Sequence, residues 1–160
     1  MQGSRSGKAK PSIRGRAWRA LLEVMQALIQ TLDGQLQRGV DLTLQQYDVM
    51  LHVSEGSGGR RMTELAEAVV LSKSGLTSLV DRMEVSGLLE RRADPKDRRA
   101  TRVVLTEKGE TRFREAAALH REVVRRIFIR HLKEAEAEVI TDVLERVRVG
   151  LKEEAAGVER

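Results

Sequence analysis

The chain has 160 residues and no cysteine: enough length for one domain with its own core, and no means of forming disulfides, thiolate metal clusters or a cysteine redox switch. Its 29 Lys and Arg against 24 Asp and Glu leave a formal charge of +5, and that excess is local. Residues 1–39 carry +5, 40–58 carry −3, 59–105 carry +3 and 106–160 are neutral, which places basic surface at the front and in the middle.

No apolar run approaches the roughly 18 residues of a membrane span. The basic N-terminus lacks the apolar stretch of a signal peptide, so a cytoplasmic protein without membrane attachment is expected. Residues 1–12, MQGSRSGKAKPS, read as a disordered basic tail. From Ile13 to about Arg38 the residues Trp18, Leu21, Met25, Leu28, Leu32 and Leu36 recur at threes and fours, predicting an amphipathic helix that ends near Gly39. Leu22, Val24 and Ile29 widen its stripe beyond what one neighbour requires, which points to contact with a second subunit.

The segment TLQQ opens the next helix, with Thr43 as N-cap and Gln46 placed to complete a capping box. Leu44, Tyr47, Met50 and Leu51 supply its buried face and EGSGG stops it. That glycine run is a turn rather than a phosphate cradle, because Arg-Arg-Met follows where a P-loop needs Lys-Ser/Thr. MTELAEAVV predicts a short helix capped by Thr63. After a tight break, Ser72 caps a longer helix that stops at Gly87. Two short helices, the second longer, make a helix-turn-helix pattern. LLERR and TRVVLT are β-prone and joined by ADPKD, a turn between antiparallel strands. Two helices follow, from Glu107 to about His131 and from about Glu134 to Leu151. The last carries a stripe of Val139, Ile140, Val143, Leu144, Val147 and Leu151.

Residues 73–86 sort by face. Leu76, Leu79, Val80 and Met83 must face the core, and Lys73, Ser74, Thr77, Ser78 and Arg82 lie opposite. An outer face of small hydroxyl side chains with one cation at each end suits a helix that enters a major groove. Ser and Thr can meet base edges there, while cations and the helix N-terminus hold phosphates. A serine-rich solvated helix is the bland alternative, weakened by the preceding helix and the basic hairpin that follows. Residues 91–102 hold six cations and two aspartates. Arginines on a hairpin beside a recognition helix can reach the adjacent minor groove. Asp97, out of place on a polyanion-binding surface, makes sense if it pairs with Arg99 and fixes the guanidinium in advance; Lys96 and Arg98 would then contact the DNA backbone. The same pair could instead only brace the turn.

Taken together, LTLQQYDVM, MTELAEAVVLSKSGLTSLVDRMEVSGLLERR and DPKDRRATRVVLTEKG resemble the winged helix-turn-helix of the MarR family of bacterial transcriptional regulators, over about residues 40–110. The family's Asp-x-Arg of the wing lands on Asp97 and Arg99. The resemblance implies a mainly α fold with a small two- or three-stranded β-wing. Residues 40–106 would form the DNA-binding domain, and 13–39 with 107–155 a helical dimerisation region. It implies a homodimer on a pseudo-palindromic double-stranded DNA operator, usually a repressor, released by a small-molecule effector, aromatic or phenolic in class. DNA contacts are then expected from Thr63, Ser72, Lys73, Ser74, Thr77, Ser78, Arg82, Lys96, Asp97, Arg98 and Arg99. Trp18, Met25, Tyr47, Met50 and His52 are the effector candidates, each with a competing role in the core.

No nucleophile elbow, HExxH, dinucleotide fingerprint or carboxylate dyad supports an enzyme, and no cofactor is expected. No metal site is expected either. His120 and His131 are eleven residues apart, about 16 Å along a straight helix, too far to share a zinc. A His52–His120 pair is the one zinc arrangement left open. A zinc-responsive regulator, a non-specific architectural DNA binder and a protein-contact module are the rival readings.

Overall fold

The computed structural model describes residues 12–94, 97 and 100–158. Helix α1 spans Ile13–Val40 and α2 Leu44–Glu55; strand β1, Arg60–Arg61, leads into α3, Met62–Ala68, and α4, Lys73–Val85. Strands β2, Leu89–Ala93, and β3, Thr101–Leu105, precede α5, Glu107–Ile127, and α6, Glu134–Val158. A mainly helical chain with a small antiparallel sheet is the winged helix-turn-helix architecture expected from the sequence.

Ser12, assigned above to the tail, instead caps α1, its hydroxyl oxygen accepting from the Gly15 amide at 3.1 Å. At the other end Asp41 takes the left-handed conformation, φ 53°, and its amide bonds back to the Gln37 carbonyl. The helix is two-natured. Leu36 and Val40 are buried and Leu28 and Leu32 partly so, whereas Trp18, Leu21, Leu22, Val24, Met25 and Ile29 are exposed.

The Thr43 capping box of α2 forms as the residue pattern requires. The Gln46 amide donates to Thr43 Oγ1 at 3.1 Å and the Thr43 amide to Gln46 Oε1 at 2.8 Å. Its buried face is shifted from the expected one: Tyr47 and Met50 are buried with Val49 and Val53, while Leu44 and Leu51 pack only partly against the core. These side chains join Leu36, Leu65, Leu76, Leu79, Val80, Met83, Leu89, Val103 and Ala116 in one cluster. At roughly 1.5–3 kcal/mol for each large apolar side chain removed from water, this cluster holds α4 and the sheet in register.

The sheet has the order β1-β3-β2, all antiparallel, with Arg60 opposite Val103, Arg61 opposite Arg102 and Leu89 opposite Leu105. Of the two- or three-stranded alternatives the three-stranded one forms, with β1 at a place the residues did not mark. Two residues are too few for any period, and β1 exists because Gly59, at φ +87°, brings the chain against the Val103 carbonyl where a Cβ would collide.

The chain divides into two compact units, the first ending at Arg121 and the second starting at Glu122. In the second, α5 stops at Ile127, four residues short of the expected end, and His131 lies on a separate 3-10 turn, Ile129–His131. Helix α6 starts with the Lys133 amide donating to Glu136 Oε2 at 2.9 Å and runs beyond Leu151 to Val158. Its stripe of Val139, Ile140, Val143, Leu144, Val147 and Leu151 is exposed along its whole length. No helix among the described residues is long and apolar enough to cross a membrane.

Candidate nucleic-acid interface

Helix α4 separates its two faces as its sequence requires. Leu76, Leu79, Val80 and Met83 are buried, while Lys73, Ser74, Thr77, Ser78 and Arg82 are exposed. Ser72 is the N-cap, accepting from the Gly75 amide at 3.1 Å, and it lies 3.3 Å from the Ser74 hydroxyl. Thr77 donates its hydroxyl proton to the Lys73 carbonyl at 2.9 Å, so at the surface it offers lone pairs and a methyl rather than a donor. Neither Lys73 nor Arg82 has an ion-pair partner among the described residues. The face is therefore slim, weakly charged and open to a ligand, and its two cations are available to phosphate.

Thr63 is exposed in the first turn of α3 but does not cap it. Glu64 reaches back to the Arg61 amide at 3.0 Å, which fixes the helix start two residues earlier. Thr63, Lys73 and Thr77 line a common groove of about 210 Å³ between α3 and α4.

The hairpin uses its charge differently. Arg91 is drawn onto α4, with Nη2 2.7 Å from Asp81 Oδ1 and Nη1 bonded to Glu84. Those two carboxylates hold its guanidinium still more firmly protonated than usual. Arg92 pairs with Glu90. Asp94, whose side chain is 0% exposed, accepts from Arg61 Nε and Arg102 Nε, both at 2.8 Å. Arg102 Nη1 also donates to the Ser57 and Gly59 carbonyls at 3.2 and 3.0 Å, which ties the hairpin to the α2–β1 turn. Asp97 lies 3.9 Å from Arg61 Nη2. Its expected partner Arg99, with Lys96 and Arg98, lies outside the described residues. Sequence reasoning missed Arg61, Asp94 and Arg102. No local signal joined them, since Arg61 and Asp94 lie 33 positions apart in the chain.

The effector candidates do not form one set. Trp18 and Met25 are exposed on α1, Tyr47 and Met50 are buried, and His52 is half-buried between Asp48 at 3.7 Å and Glu55 at 3.3 Å. Met50 belongs to the core. Tyr47 stacks on His120, ring centroids 4.7 Å apart, and on Phe113 at 5.9 Å. Burial there raises the tyrosine pKa and lowers that of the histidine. A cleft of about 650 Å³ between the α1–α2 junction and the start of α5 is bounded by other residues, among them Arg38, Asp41, Gln46, Lys108 and Arg112. Among the described residues no group of three or more His, Asp or Glu is arranged to hold a metal ion.

Residues 40–100 match the family model described as MarR family. Over most of its length the chain is similar to AbsC, a MarR family transcriptional regulator from Streptomyces coelicolor. The identity is 34%, the coverage 91% of this chain and 99% of that one, and the TM-score 0.82. The chain belongs to the MarR family of transcriptional regulators. Another MarR regulator of the same organism, Sco3205, solved in complex with DNA, is 28% identical with a TM-score of 0.79, covering 89% of this chain and 94% of its own. The transcriptional regulator MhqR of Bacillus subtilis is 31% identical over 96 residues, 60% of this chain and 66% of that protein. The aligned stretch spans about half to two thirds of the length of the curated MarR relatives it matches. The MarR family is one of transcriptional regulators rather than enzymes.

Proposed function

We propose that this MarR-family chain binds a pseudo-palindromic operator as a homodimer and represses transcription until a small aromatic or phenolic molecule releases it. The observation that carries the reading is the exposed α4 face of Ser74, Thr77 and Ser78 between two cations, Lys73 and Arg82, that have no ion-pair partner among the described residues, set beside a basic hairpin. Ser72 and Thr63 flank this face. We assign Lys96, Asp97, Arg98 and Arg99 to the wing that meets the adjacent minor groove. The solved DNA complex of a relative 28% identical supports the same use of the fold.

Two recognition helices must be about 34 Å apart to enter successive major grooves, which requires a rigid two-fold pair. Residues 13–39 and 107–155 would supply that pairing and 40–106 the DNA-binding domain. Support for this comes from the exposed apolar rows of α1 and α6, which exceed the scattered apolar residues of an ordinary monomer surface.

Selection of duplexes from a random pool, at a stated salt concentration, tests the assignment. Enrichment of one two-fold symmetric sequence is expected, bound at least ~10³-fold more tightly than the starting pool. Uniform binding would mark an architectural protein, and no binding a module for protein contacts. Truncation after Arg130 should give a monomer with weak DNA affinity; a stable dimer without α6 would remove that helix from the interface.

A further inference from the structure

Beside the apolar cluster that packs α3 and α4 on the sheet, the joint between the helix-turn-helix and the wing holds a buried charge cluster. Asp94 stands where β2 leaves the sheet, and its amide closes the loop onto the Ala100 carbonyl at 2.9 Å. Its fully buried carboxylate is stable as an anion only with cationic donors around it. Among the described residues two guanidinium groups supply them. Arg102 is itself held by the carbonyls of Ser57 and Gly59. Arg61 is held by its pairing opposite Arg102 in the sheet and by the bond from its amide to Glu64, at the first turn of α3. Arg61 also comes within 3.9 Å of Asp97 in the loop. One side chain thus begins at the start of the helix-turn-helix and grips the wing at its root and again along its loop.

We propose that Arg61 is a positioning residue that fixes the root of the hairpin loop against the start of α3 before DNA arrives. The proposal rests on the DNA-binding reading above. Arg61 touches no DNA in this role, because its Nε and Nη2 are turned to carboxylates. Its effect is to hold the loop root at Asp94 and Asp97 in one arrangement, so that binding has less freedom to freeze out there. Arg102 braces the same carboxylate from the opposite strand, so loss of Arg61 leaves Asp94 paired and the chain folded, with the loop loosened.

The test compares the full-length chain with Arg61→Gln, Arg61→Lys, Arg99→Ala and the double variant Arg61→Gln/Arg99→Ala. Without DNA, Arg61→Gln should speed hydrogen exchange at the Asp94 and Ala100 amides while the amides of α2 and α4 keep their protection. On the duplex selected by the unaltered chain, Arg61→Gln should bind about tenfold more weakly with an unchanged salt slope, and Arg61→Lys should recover little of that loss. Combined with Arg99→Ala it should add nothing, since the wing contact it orients is already gone.

The proposal is overturned by unchanged exchange at Asp94 and Ala100. It is equally overturned by a salt slope reduced by about one with additive losses, which would make Arg61 an ordinary phosphate contact, or by full recovery in Arg61→Lys. If the unaltered chain selects no duplex, the DNA-binding reading fails, while the exchange measurement still decides whether Arg61 fixes the wing.

Discussion

The outer face of α4 and the root of the hairpin are neighbours of opposite design. On α4 there are only two cations, and both are left unpaired among the described residues. The hairpin is far richer in arginine, yet Arg91, Arg92 and Arg102 are all paired with carboxylates. Charge in a sequence is therefore a poor measure of charge available to a ligand. Where cations and carboxylates alternate in a short hairpin, much of the charge is spent in holding the hairpin together.

Placing a negative charge on the open face should break this contrast most severely. Ser78→Glu is expected to cost about 3 kcal/mol or more of operator affinity through repulsion from phosphate, with the melting temperature unchanged. Wild-type affinity in that variant would show that α4 does not enter the groove. Arg99→Ala comes next, with an expected loss of about 1–3 kcal/mol; unchanged affinity at physiological salt would take the wing out of the mechanism.

A matched pair of substitutions then sharpens the contrast. Arg82→Ala should lower the salt slope of binding by about one unit and leave folding intact. Arg91→Ala should leave that slope alone and lower the melting temperature by about 2–4 °C, because Asp81 and Glu84 lose their partner. An exchange of these two outcomes would reverse the assignment of which arginine is free.

The smallest effect concerns the body of the domain. Burial against Tyr47 lowers the His120 pKa below its usual 6.5 in the folded state. The unfolded chain therefore binds this proton more readily. Stability from the neutral ring is complete above 6.5 and declines as pH falls below it. His120→Gln should flatten that part of the pH–stability curve measured by thermal melts, and an unaltered curve would rule the ring out as its source.

Much of the fold was legible because its signals are local. Thr43 and Gln46 are three residues apart, and the α4 core positions follow a single helical period, so both could be read directly. Thr63 misled because a good capping residue type was overruled by Glu64, whose side chain reached past it to Arg61. The charge cluster at the wing root was invisible for a different reason. Arg61 is 33 positions from Asp94 in the chain, and nothing in the composition of either segment announces the other. Met50 could be read from the sequence as core or as ligand contact, and the packing of α2 against α1, α3 and β3 decides that it is core.

The chain has a single tryptophan, Trp18, which stands 61% exposed among the uncovered apolar residues of α1. Its indole emission is thus a built-in reporter on that one helix, undiluted by any other tryptophan. If the proposed homodimer covers α1, dilution through its dissociation range should shift the emission to the red as the ring gains water, and an unshifted emission would take Trp18 out of the interface.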